Sequence, residues 1–200
     1  LDPRFLWRFP NLEELSLQIS VLPRCPLFPI VEVHTRLVYL DLVVSDGDSV
    51  GWESYFVFPS NLRHLEIGGC FLTDKMVLNI ARLKKLESLT LKGGFPFGDK
   101  QYCWDVTNVE FPALKYLTLH AVRMHGWNAS DASFPVLEKL VLKTCYYFKE
   151  IPPSFADIPT LRLIDMYGCI DSLGVSAMNI KREIEENTGC DSLQVLIKRM

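Results

Sequence analysis

The sequence predicts an α/β solenoid in which short parallel strands stack into one continuous sheet, mostly irregular returns run behind it, and a helix closes the C-terminal end. Three observations carry this prediction. The pattern L-x-x-L-x-L begins at Leu12, Leu37, Leu62, Leu86, Leu114, Leu137 and Leu161, with a degenerate eighth copy at Leu193, and successive starts are 23 to 32 residues apart. The first seven copies place an aliphatic residue or Met at all 21 apolar positions. An apolar-Pro pair stands just before five of them, at Phe9-Pro10, Phe58-Pro59, Phe111-Pro112, Phe134-Pro135 and Ile158-Pro159.

Within each copy the second and third apolar positions alternate with polar ones at period two, which marks a strand with one buried face. Such a rung cannot cover its own apolar side. Neighbouring copies must stack, each contributing aliphatic side chains worth about 1.5–3 kcal/mol apiece on burial. This is the logic of leucine-rich repeats, and the expected shape is a horseshoe with a concave parallel sheet. The prolines hold the entry to each strand extended, with the preceding Phe or Ile turned inward as core. Eight residues after the first Leu such repeats favour a small residue that satisfies the turn backbone, and Cys70, Cys145 and Cys169 fall there. They read as buried turn residues.

Register also names the outward residues. The concave-face candidates for partner binding are Tyr39 and Asp41, His64 and Glu66, Thr90 and Lys92, Tyr116, Thr118 and His120, Lys139 and Lys143, and Asp165 and Tyr167. The early rungs are acidic or neutral and the later ones carry Lys92, Lys139 and Lys143, a gradient that would steer a partner of complementary charge into register. His64 and His120 lie on polar strand positions, where contact or solvation is expected rather than acid–base work.

Between strands the sequence is clearly helical only from about Thr73 to Arg82, capped by Thr73 or Asp74, with Met76, Val77, Ile80 and Leu83 as its buried stripe. The other returns read as irregular. Three are longer, 47–57, 93–110 and 123–133, and hold Trp52, Trp104 and Trp127. A loop tryptophan is either a packing anchor or a contact residue, and packing is the stronger reading. From about Gly174 to Thr188 a capping helix is expected, with Val175, Met178, Ile180 and Ile184 apolar and Gly189 as its stop. Residues 174–200 form the cap, and the whole chain reads as one domain of about eight repeats. No matching cap is legible at the front, so the sequence reads as a fragment whose missing upstream part holds any chemistry.

Composition narrows the function. A net charge of −3 and 22% charged residues give no basic field for nucleic acid. No apolar run approaches the roughly 18 residues needed to span a bilayer. The six cysteines lack C-x-x-C spacing, so neither zinc binding nor a redox motif is indicated. A phosphate-binding G-x-x-x-x-G-K-[ST] loop is missing and no catalytic triad can be assembled, so no enzymatic activity and no cofactor are expected here.

The stretch FPALKYLTLHAVRMHGWNASDASFPVLEKLVLKTCYYFKEIPPSFADIPTLRLIDMYGC, followed by SAMNIKREIEE, resembles the C-terminal repeats of plant intracellular immune receptors of the coiled-coil, nucleotide-binding, leucine-rich-repeat kind, in the late blight resistance protein group. Residues 1–110 match only the general repeat. The resemblance implies a recognition and autoinhibition module in pathogen defence, without catalysis. Its partners would be a pathogen effector or a guarded host protein, and the receptor's own nucleotide-binding domain. ATP or ADP would belong to that upstream domain. A cytoplasmic location is implied, and the lack of an L-x-G-x-I-P signature agrees with it. The alternative is the substrate-binding repeat region of an F-box ubiquitin-ligase adaptor.

Overall fold

The computed structural model describes residues 8–19, 35–44, 57–69, 72–93 and 102–199. Its strands are β1 (Glu14–Ile19), β2 (Tyr39–Val44), β3 (His64–Gly68), β4 (Ser88–Lys92), β5 (Cys103–Asp105), β6 (Tyr116–His120), β7 (Gly126–Asn128), β8 (Lys139–Lys143), β9 (Leu163–Tyr167) and β10 (Gln194–Lys198), and its helices are α1 (Asp74–Ala81) and α2 (Asp171–Thr188). Eight strands form one parallel sheet in the order β1-β2-β3-β4-β6-β8-β9-β10. Every L-x-x-L-x-L copy supplies one of them.

Register follows the motif. Leu15, Leu40, Leu65, Leu89, Leu117 and Leu140 lie side by side in one row that continues through Ile164 to Val195. A second row runs from Leu17 through Leu42, Ile67, Leu91, Leu119 and Leu142 to Met166 and Ile197. From β2 to β9 both rows are buried, whereas Leu15 and Leu17 on β1 are half-buried. The side chains between them face the other way and form the open, concave face.

Every described turn after strands β3, β4, β6, β8 and β9 uses the same device. The first residue past the strand takes a positive φ: Gly69, Gly93, Ala121, Thr144 and Gly168. Each donates its N–H to the last residue of the next strand, at 2.7–3.1 Å. At Gly69 a Cβ would overlap the Val44 carbonyl oxygen. Glycine is required there by space as well as by φ.

The apolar-Pro pairs bury as expected at Phe58, Phe111, Phe134 and Ile158. Phe9 does not, being 52% exposed, because no described segment packs over the outer side of the first rung. Helix α1 has Thr73 as N-cap, its side chain accepting from the Met76 N–H at 3.3 Å, and its predicted stripe of Met76, Val77, Ile80 and Leu83 is buried.

One predicted feature is corrected. The returns around Trp104 and Trp127 are ordered as a second, two-stranded parallel sheet, β5 with β7, in which the two tryptophans are register partners. Their rings stack at 5.4 Å and join Phe111, Phe134, Phe148 and Phe155 in one buried aromatic array. Each copy's tryptophan covers the next, which makes both packing anchors. Trp52 and Cys70 lie outside the described residues.

Hydroxyls staple the remaining returns to one another. Ser133 donates to the Val106 carbonyl at 2.7 Å and Ser154 to that of Ala129 at 2.8 Å. Ser176, on the first half of α2, accepts from the Ile151 N–H at 3.0 Å and donates to the Ile151 carbonyl at 3.4 Å. Pro152 and Pro153 prevent a strand at that point, so the serine satisfies backbone that a ladder would otherwise hold. Helix α2 begins one turn earlier than expected and stops at Gly189, whose φ is 68°. Ile180 and Ile184 are buried, but Val175 is 61% exposed and Met178 is also exposed, so the apolar stripe of the cap is narrower than the sequence implied.

Candidate functional site

The open face is built from three rows of side chains. The first runs from Glu14 through Tyr39, His64, Ser88, Tyr116, Lys139 and Leu163 to Gln194. Ser16, Asp41, Glu66, Thr90, Thr118, Val141, Asp165 and Leu196 form the middle row. Gln18, Val43, Gly68, Lys92, His120, Lys143, Tyr167 and Lys198 form the third. All thirteen predicted contact residues stand on this one face, half-buried or exposed, because alternation along each strand and register between strands place them there.

Ion pairing modifies the predicted gradient without removing it. Lys92 is not a free cation: its Nζ lies 2.5 Å from Glu66 Oε2 and 3.6 Å from Asp41 Oδ1. The second contact is ionic rather than a hydrogen bond, which leaves Asp41 Oδ1 buried without a donor. Tyr39 donates its hydroxyl to Glu66 Oε1 at 2.9 Å. Burial pushes the Glu66 carboxyl up, but the bonds from Lys92 and Tyr39 outweigh it and hold the group below its usual range. Burial, then the hydrogen bond to Glu66, pushes the Tyr39 hydroxyl up to about 12. Lys92 is raised by its bond to Glu66. The first half of the face is thus an ion-paired cluster in which two carboxylates share one ammonium group, and it stays net anionic.

On the later rungs Asp165 pairs with Lys198 at 3.1 Å, and Tyr116 donates to Glu138 at 3.4 Å from the rim. Lys139 and Lys143 have no carboxylate within 4 Å among the described residues. Tyr116 and Tyr167 are 42% and 47% exposed. Two more exposed tyrosines, Tyr146 and Tyr147, follow β8, and sequence reasoning passed over them because they sit in a turn outside the motif.

Away from this face, Cys145 is buried as expected of a turn residue, whereas Cys169 is only half-buried. Their thiols donate to strand carbonyls, Cys145 to Leu119 at 3.5 Å and Cys169 to Leu142 at 3.4 Å. The hydrogen bond to Cys169, with burial, pushes the Cys145 thiol up. A cleft of about 470 Å³ lies between β7 and the following return, lined by His125, Trp127, Tyr147 and Lys149 among others. Another, of about 380 Å³, lies at the C-terminal end between α2 and β10, beside Val175, Met178 and Ile197. Among the described residues no three His, Cys, Asp or Glu side chains converge as a metal site, and no helix is long and apolar enough to cross a membrane.

An eight-rung parallel ladder with leucine rows on one side and a mixed polar and aromatic face on the other defines a leucine-rich-repeat solenoid. Sequence comparison then gives the group. The chain is 35% identical over 195 residues, 96% of its length, to the late blight resistance protein homolog R1B-23 of Solanum demissum. It is 34% identical over 195 residues to a second late blight resistance protein homolog of the same plant, and 33% identical over 197 residues to a third. Over nearly all of its length the chain is therefore similar to these late blight resistance protein homologs, and the similarity extends into residues 1–110, where the sequence motifs alone were unspecific. It spans 15% of the length of the first two relatives and 25% of the third. No protein-family profile matches it.

Proposed function

We propose that this chain is the recognition and autoinhibition module of a plant immune receptor acting in the cytoplasm. Its concave face would engage a pathogen effector or a guarded host protein, and would restrain the receptor's own nucleotide-binding domain. The chain itself would be non-enzymatic and free of cofactor, with ATP or ADP held by that other domain. The observation that supports this most is the unbroken face on which tyrosine, lysine, histidine and threonine side chains stand in register over a buried leucine row, on a chain whose relatives are named for disease resistance. Solenoids use such surfaces for extended contacts, because successive rungs offer a repeat of near-equal spacing.

The test uses a full-length receptor containing these repeats, expressed in leaf tissue, with cell death as readout. Replacing Thr90 and Thr118, neighbours in the middle row, with arginine fills the face without touching the core. Both threonines are half-buried on the open side of the sheet, so receptor level is measured alongside the response. The expected result is a lost response or a constitutive one at unchanged protein level. A response indistinguishable from that of the unmodified receptor would overturn the reading.

A further inference from the structure

The later half of the open face carries a cationic surplus that the earlier half does not. Asp41 and Glu66 share Lys92, and Asp165 takes Lys198. Lys139 and Lys143 remain, at the two ends of β8, with no carboxylate within 4 Å among the described residues. Four residues along a strand separate their Cα atoms by about 13 Å. Between them Val141 forms a half-buried apolar floor. Tyr116 stands beside Lys139, and His120 and Tyr167 flank Lys143 on either side.

Resting on the reading of this face as a recognition surface, we propose that the β6-β8-β9 patch docks an acidic, extended segment of a protein partner, with carboxylates four residues apart and an apolar side chain midway between them. The first and last carboxylates meet Lys139 and Lys143, whose spacing along β8 equals that of residues i and i+4 in an extended chain. The central apolar side chain lies over Val141. The tyrosine rings, nearly half exposed, supply rigid contact area at the flanks, a role for which tyrosine is favoured at interfaces. A basic segment would meet uncompensated like charge at both ends, and this gives the patch its discrimination.

The probe is a labelled synthetic peptide of repeated Glu-Ser-Leu-Ser-Glu, with a Lys-Ser-Leu-Ser-Lys peptide and a single-stranded oligonucleotide as competitors, titrated against the 200-residue chain. Binding of the glutamate peptide is expected at low salt, weakened severalfold between about 50 and about 300 mM NaCl as the Debye length shortens. The double variant K139E/K143E should bind at least about tenfold more weakly with an unchanged melting temperature, a change of about 1.4 kcal/mol. K139Q/K143Q should fall between the two, and it serves as the second variant if charge reversal impairs folding. Equal binding by the double variants, equal binding of the lysine peptide, or preference for the oligonucleotide would each overturn the proposal. So would absence of glutamate-peptide binding. If the Thr90 and Thr118 arginine variants still change the receptor's response in that case, only the acidic-partner inference falls, and the face remains a recognition surface.

Discussion

Lys92 and Lys143 occupy the same row of the sheet, two strands apart, yet they offer a partner different things. Lys92 is held by Glu66 and Asp41, so approaching it means breaking an existing cluster, whereas Lys143 has no carboxylate within 4 Å among the described residues. Register was legible in the sequence because it follows from leucine spacing. The pairing was not, because it depends on which carboxylates of the middle row lie within reach of a side chain from the third, a distance no spacing rule supplies. The cluster predicts a titration. Tyr39 holds its proton more tightly in the folded chain, so what that contributes is fully present below pH of about 10 and is lost as pH rises towards about 12, and Lys92 is shifted in the same direction by its bond to Glu66. A difference titration of tyrosinate absorbance between the native chain and Tyr39→Phe should therefore place the Tyr39 midpoint near 12. Tyr39→Phe should also lower stability at neutral pH by about 1 kcal/mol, the net worth of one hydrogen bond. A midpoint near the ordinary value of about 10 would mean that Tyr39 is neither buried nor bonded to Glu66 in solution as described.

At the scale of elements, the strands and both helices were readable because period two and helical spacing are local signals. What escaped was the second sheet. Strands β5 and β7 are three residues each, too short for alternation to register, and they exist because Trp104 and Trp127 stack across neighbouring copies. The turns after the strands were also only partly legible. Glycine marks them at 69, 93 and 168, but Ala121 and Thr144 adopt the same positive φ with a side chain, held there by N–H bonds of 2.8 Å to the next strand. The left-handed region costs a non-glycine residue about 1–2 kcal/mol. Thr144→Gly relieves that strain while adding freedom to the unfolded chain worth about 0.4–1 kcal/mol, so stability should stay level or rise by up to about 1 kcal/mol. Gly69→Ala meets the Val44 carbonyl oxygen as well as the unfavourable φ, and should cost about 2–3 kcal/mol. Urea unfolding of the two variants decides the matter. An alanine at 69 that left the midpoint unmoved would show that the turn does not cross Val44 as described.

The whole molecule is a row of similar units in which each rung is stabilised by its neighbours, so stability should vary along the row rather than being shared evenly. Burial already shows the direction. Leu15 and Leu17 of β1 are half-buried, while Leu40 and Leu42 of β2 and Leu140 and Leu142 of β8 are fully buried. The late rungs have further support: the aromatic array spans several of their returns, and Ser176 ties α2 to Ile151. Amide hydrogen exchange should accordingly be slowest in β6, β8 and β9 and fastest in β1, with β2 to β4 between. Core truncation should follow the same order. Leu140→Ala removes a side chain with no exposed surface and should cost about 2–5 kcal/mol. Leu15→Ala, at the equivalent place in the same row, should cost well under half as much, because the side chain is half-buried and, among the described residues, its strand has a neighbour on one side only. Equal losses at the two leucines, or uniform protection from β1 to β9, would mean that the chain unfolds as a single cooperative block. In that case the rungs would not be the units in which its stability is stored.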